Sequence, residues 1–189
     1  MNATIRMLVG AAFTSTALAQ APGDPGPLLA AQRDAMKAFA AMDGVWRGPA
    51  WTLLASGEKS SITQTERIGP FLQGTVKVLE GRGYRDDGSV GFNALGVISF
   101  DPAKKAYNLR SYALGRSGDF NIQPTADGYV WEIPQGPNVI RYTATIKDDT
   151  LREVGDRIVP GREPLRFFEM TLKRVGDSDW PETRPVPMR

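Results

Sequence analysis

The 189-residue chain has no histidine and no cysteine. Without imidazole it has no proton shuttle working near neutrality, no Ser-His-Asp triad and no proximal haem ligand of the common kind. Without thiol it has no disulfide, no cysteine-type structural zinc and no covalent thiol catalysis. It also lacks a Gly-rich phosphate loop and a cluster of metal-ligating residues, so nucleotide chemistry and metal-assisted hydrolysis have no starting point. Charge of one sign is missing too: 23 Lys and Arg face 21 Asp and Glu, for a formal net charge of +2. That balance argues for neither nucleic acid nor an anionic membrane.

What is present begins with Arg6 and an apolar run from Met7 to Leu18, closed by Ala17-Leu18-Ala19. This pattern predicts a signal peptide over residues 1–19, cleavage before Gln20, and a periplasmic or secreted product. The run is too short for a membrane anchor, and no cysteine follows it for lipid attachment. Residues 20–27 read as a flexible leader, 28–175 as one domain, and 176–189, with Pro181, Pro185 and Pro187, as a tail that cannot join a ladder but could be pinned by Trp180.

From Leu28 to Met42 helix formers place Leu29, Met36, Phe39 and Ala40 on one face, and Asp43-Gly44 stops the helix. Strand patterning then takes over, with turn signals at Ser56-Gly57, Gly69-Pro70, Asp86-Asp87-Gly88, Asp101-Pro102, Gly115, Asp127-Gly128, Pro134-Gln135-Gly136, Asp148-Asp149 and Pro160-Gly161. The expectation is an all-β fold: a closed antiparallel up-and-down β-barrel of about ten strands, capped at one end by the short N-terminal helix.

Alternation assigns the faces. Phe168, Met170 and Leu172 share one face, as do Ile140, Tyr142, Ala144 and Ile146. By the same parity Ile62, Gln64, Glu66 and Ile68 point in, and the next strand is read with Val76, Val78 and Glu80 inward. Two inner carboxylates need donors, water or a ligand. Gln64, Glu66, Glu80 and Tyr142 are therefore the candidate polar patch of an apolar cavity, the alternative being a structural salt-bridge cluster with Arg110 or Arg157. If Trp46 points in, the small residues Gly48, Ala50 and Thr52 do too and would leave space inside, unless Phe71, Phe92, Phe100, Phe120 and Trp131 fill it. Arg110 and Tyr112 form a second candidate, suited to a carboxylate head group, although Tyr107, Leu109 and Ala113 compete with them for the interior.

Gly44-Val45-Trp46 at the first strand, with the hairpin from Phe100 to Tyr107 (Phe-Asp-Pro-Ala-Lys-Lys-Ala-Tyr), resembles the lipocalin-like calycin superfamily. Within it the chain resembles an exported bacterial family of unknown function distantly related to nitrobindin. The resemblance implies a barrel with Trp46 in its floor and Arg174 lying over the indole. The chain departs from the haem-binding branch in lacking histidine, and from the fatty-acid-binding branch in carrying Arg110-x-Tyr112 in mid-chain.

The expected function is a non-enzymatic binding protein for a small, mostly apolar or amphipathic ligand, with no cofactor, metal, nucleic acid or membrane anchor. The alternatives are an envelope scaffold with a filled barrel, and an isomerase or hydrolase using the carboxylates.

Overall fold

The structure, a computed structural model, describes residues 24–180. The expected signal peptide, residues 20–23 of the leader and residues 181–189 of the tail lie outside the described residues. The helix α1 spans Gly26–Met36, with proline in its first turn where the missing N–H costs nothing. It tightens into a 3₁₀ turn over Lys37–Met42 and stops where Asp43 becomes extended (φ −61°, ψ 130°).

Ten strands follow: β1 Gly44–Leu53, β2 Lys59–Phe71, β3 Val76–Tyr84, β4 Val90–Asp101, β5 Ala106–Ala113, β6 Arg116–Thr125, β7 Gly128–Gln135, β8 Asn138–Lys147, β9 Thr150–Ile158 and β10 Leu165–Gly176. Each pairs antiparallel with its chain neighbour, and β1 pairs with β10 to close the barrel. This is the architecture expected from the turn spacing, and it is consistent with a lipocalin-like fold. One turn is displaced. Gly69 and Pro70 lie inside β2, and the chain reverses at Leu72, Gln73 and Gly74, all with positive φ. Leucine and glutamine seldom adopt that conformation, so composition does not mark the site.

The closed end is packed. Trp46, Phe39, Met42, Ile68, Ile98, Ile122, Leu151 and Leu172 have almost no exposed surface. Three hydrogen bonds hold the helical segment there: Trp46 Nε1–H donates to Met42 O (2.9 Å), Tyr107 Oη–H to Ala35 O (3.1 Å) and Gln32 Nε2–H to Phe100 O (3.4 Å). Lys77, only 3% exposed, points into this end and is neutralised by Asp43. A buried ammonium persists only with such a partner.

Trp46 thus sits in the floor as expected, but Arg174 does not cover its ring. The two residues are register partners across the seam, and the guanidinium donates instead to Asp43 O (3.4 Å) and Asp177 Oδ1 (2.6 Å). Among the described residues the cations over rings are Lys59 on Trp51, Arg67 on Trp180 and Arg110 on Tyr112. Trp180 does anchor the described part of the tail: it meets Phe71 edge-on at 5.6 Å, while Asp179 pairs with Arg67 at 3.0 Å.

Candidate functional site

The register of β2 decides what enters the barrel. Trp46 opposes Glu66, Gly48 opposes Gln64 and Ala50 opposes Ile62, so a single inward parity runs across β1 and β2. On the other side Glu66 opposes Gly81 and Gln64 opposes Gly83. Lys77, Leu79, Gly81 and Gly83 are therefore the inward residues of β3, and Glu80 is not. Its carboxylate lies on the outer face and accepts from Arg82 at 2.6 Å. The expected inward set Val76, Val78 and Glu80 is one residue out of phase. Val78 pairs with Gly69, over which Ser178 and Trp180 lie, so part of this outer strip is covered and tolerates apolar residues.

Arg110 and Tyr112 are also outside. Leu109 opposes Ile98 and Phe120, which fixes Tyr107, Leu109, Ser111 and Ala113 as the inward set of β5. Arg110 pairs with Asp119 and lies over the Tyr112 ring. Glu80, Leu95 and Tyr112 share one row of the outer surface and line an open groove of about 560 Å³. A groove open along its length buries little of a ligand, whereas binding sites for small molecules enclose most of theirs.

Gln64, Glu66 and Tyr142 do share the interior. Gln64 Nε2–H donates to Glu66 Oε1 at 2.7 Å. Gly81 makes room for this pair: a Cβ there would stand 2.8 Å from Glu66 Oε1 and 3.1 Å from Gln64 Nε2. Tyr142 stacks on Trp131 (centroids 4.2 Å apart, planes 6° from parallel). Phe120 meets Trp131 at 5.6 Å, and Phe167 and Phe168 each meet Tyr142 at 5.9 Å. Two consecutive phenylalanines reach one ring because a bulge shifts β10 between Arg166 and Phe168, so Phe167 departs from strict alternation.

A second inner carboxylate, not among the residues expected inside, is Glu153. It opposes Ala144 on β8 and Met170 on β10 and is 7% exposed. Trp131 Nε1–H donates to its Oε1 at 2.8 Å and Tyr129 Oη–H to its Oε2 at 3.3 Å. The alternation Leu151-x-Glu153-x-Gly155 carried the signal, but Arg152 beside it makes the strand look like a charged surface.

The interior therefore has two halves. Below, apolar side chains fill it. Above, Ile62, Phe92, Phe120, Trp131, Tyr142 and Phe168 hold inward positions but are only partly buried, so this end of the barrel is less closed than the floor. Gly48 does not leave space inside as expected, because the backbone of β10 occupies the side where its Cβ would be.

Electrostatics follow from this enclosure. Desolvation pushes the Glu66 carboxyl up to about 8, with Gln64 opposing and the Glu153 charge reinforcing the shift. Desolvation also raises Glu153, to about 7, against the two donors that favour its charged form. Burial, followed by the Glu153 charge, raises the Tyr142 phenol to about 12 and lifts Tyr129 further. Both carboxyl groups therefore keep their protons to a higher pH than an ordinary glutamate does.

Replacing Trp131 by Phe removes the indole donor from Glu153 and leaves the ring stack largely in place. The expected result is a loss of about 1–2 kcal/mol in denaturant unfolding at pH 8, shrinking as the carboxyl is protonated. An unchanged midpoint would show that the indole bond adds no stability.

Among the described residues no group of three or more acidic side chains could hold a metal ion, and no helix is long and apolar enough to cross a membrane. No family model and no curated protein matches the chain.

Proposed function

We propose that this chain is a binding protein that holds a small, mostly apolar molecule in the open half of the barrel. In this view it is exported, cleaved near Ala19, and belongs to the lipocalin-like calycins. The observation that supports the reading is that Glu66, bonded to Gln64, and Glu153, bonded to Trp131 and Tyr129, both point into a barrel interior that also holds the Phe120, Trp131, Tyr142 and Phe168 rings. An apolar wall supplies most of the binding free energy, and a few polar groups at the base orient the ligand. Tyr142 belongs to the wall, and Glu80, Arg110 and Tyr112 have no part in the site. Trp46 belongs to the floor, with Arg174 bracing the seam beside it.

Native mass spectrometry of protein isolated from the cells that make it tests this. The expected spectrum has a reproducible adduct of small mass, reduced about tenfold in occupancy by Glu66→Gln combined with Glu153→Gln. A clean apo mass from the unmutated protein would instead favour a scaffold role.

A second reading, an isomerase or hydrolase, draws on one observation: both glutamates have carboxyl groups raised into the range where general acids and bases work at neutral pH. It requires a substrate whose reacting atom reaches both carboxyl groups, and the same adduct would identify it.

A further inference from the structure

We infer that the molecule held in the lumen is an organic cation, a protonated amine on a small apolar or aromatic body; this rests on the lumen reading above. The hydrogen-bond inventory carries the argument. Glu153 receives only the neutral donors of Trp131 and Tyr129, and Glu66 receives only the Gln64 amide. Among the described residues no cation approaches either from inside. On the neighbouring strands the inward positions that face the two carboxylates are Trp46, Gly81, Ala144 and Met170.

The cations of the barrel are committed elsewhere. Lys77 points inward, but below the pair and against Asp43. Arg82, Arg110, Arg141, Arg152 and Arg166 pair with carboxylates on the outer face. Arg116 and Arg157 hold inward register positions only at the open rim, where both are exposed. Arg157 lies four residues beyond Glu153 on β9, roughly 13 Å along the strand. Tyr129 and Tyr142 are the other titratable groups facing the pair, and both are neutral in the physiological range.

The rings agree with the same charge. Trp131 and Tyr142 are stacked, with Phe120, Phe167 and Phe168 against them, and whichever ring face the stack leaves free carries negative quadrupole density that attracts a cation and repels an anion. Two carboxylates below an aromatic wall, with no internal counter-ion among the described residues, form a receptor for an ammonium group. They form a poor one for a carboxylate or phosphate.

Three probes of nearly equal shape separate the possibilities: phenethylamine, phenethyl alcohol and phenylacetate, titrated calorimetrically into the full-length protein. At about pH 8 the amine is expected to bind about tenfold more tightly than the alcohol, and phenylacetate to give no heat. The amine's affinity should rise about tenfold between about pH 6 and pH 8, as the carboxyl groups ionise while the amine stays charged. Glu66→Gln with Glu153→Gln should lower amine affinity about tenfold and leave the alcohol within about twofold. Alcohol binding as tightly as the amine in the unmutated protein would overturn the cation and leave the lumen reading standing. No heat from any of the three would overturn both.

Discussion

Raising the pH from about 5 to about 9 lowers the melting temperature of the ligand-free protein, by about 10 °C or more on the ordinary scale of 2–4 °C per kcal/mol for a domain of this size. The direction follows from where the proton is held. Glu66 has a carboxyl at about 8 when folded, against an ordinary 4.5, and Glu153 one at about 7. Both groups bind protons more tightly in the folded state than in the unfolded chain. Their stabilising contribution is complete below about pH 4.5 and is lost as the pH rises through the folded values. A displacement of this size at two coupled sites corresponds to a loss on the order of 5 kcal/mol, a large part of a typical domain's stability.

The opposite trend belongs to the outer carboxylates. Asp34, Asp87, Asp101 and Asp119 are held low by hydrogen bonds, respectively, from Lys37, Ser89, the Lys104 backbone and Asn108. Their stabilisation disappears only at more acidic pH, and because they are exposed it is small. Glu66→Gln and Glu153→Gln cannot ionise, so together they should flatten the slope above about pH 5. Calorimetric melting temperatures across that range decide the matter. A flat profile in the unmutated protein would mean that the two carboxyl groups are solvated well enough to titrate normally.

Gly48→Ala is expected to destabilise the fold by about 3 kcal/mol or more, the range reserved for substitutions that force backbone apart. A Cβ at this position would stand 2.1 Å from Thr171 O and 2.9 Å from Leu172 Cα. Both are main-chain atoms of β10, so no side-chain rotation relieves the clash. The seam would have to open. Gly83 offers the contrast, since its nearest neighbour is the Ile62 Cδ1 methyl at 2.4 Å, the end of a side chain that can turn. Gly176→Ala is the control, with nothing within 4 Å of the added atom. Urea midpoints for the two alanine variants should differ clearly, and a Gly48→Ala protein as stable as Gly176→Ala would show that the strands can separate there at no cost.

The same positions show what the sequence could and could not convey. Ile62, Gln64, Glu66 and Ile68 were legible because apolar residues bracket the polar pair at the same parity. On β3 that logic failed, as Val78 and Leu79 are apolar on opposite faces, and the outer strip beside Val78 is covered by Trp180 from far along the chain. Arg110 and Tyr112 form a plausible pair in isolation, and only the register through Leu109 and Ile98 turns them outward. Glu153 was hidden by its neighbours, Arg152 and Val154, the latter buried although it faces outward. The strand count, the helical cap and the place of Trp46 depend on local pattern, and all three were readable. The site depends on which strands meet, and one residue of phase moves a carboxylate through the wall.

The strand order has a consequence for the chain as it is made. Nine of its ten ladders join neighbours in sequence and form as soon as a hairpin is complete. The tenth, between β1 and β10, brings Asp43 to Arg174 across 131 positions. Until β10 has been synthesised, the outer edge of β1 has no partner, and every partial chain presents an open strand at each end. Such edges recruit strands from other molecules, and only completion of the last segment removes both at once. A chain truncated before Leu165 therefore ends as a sheet with two free edges, a species prone to aggregate.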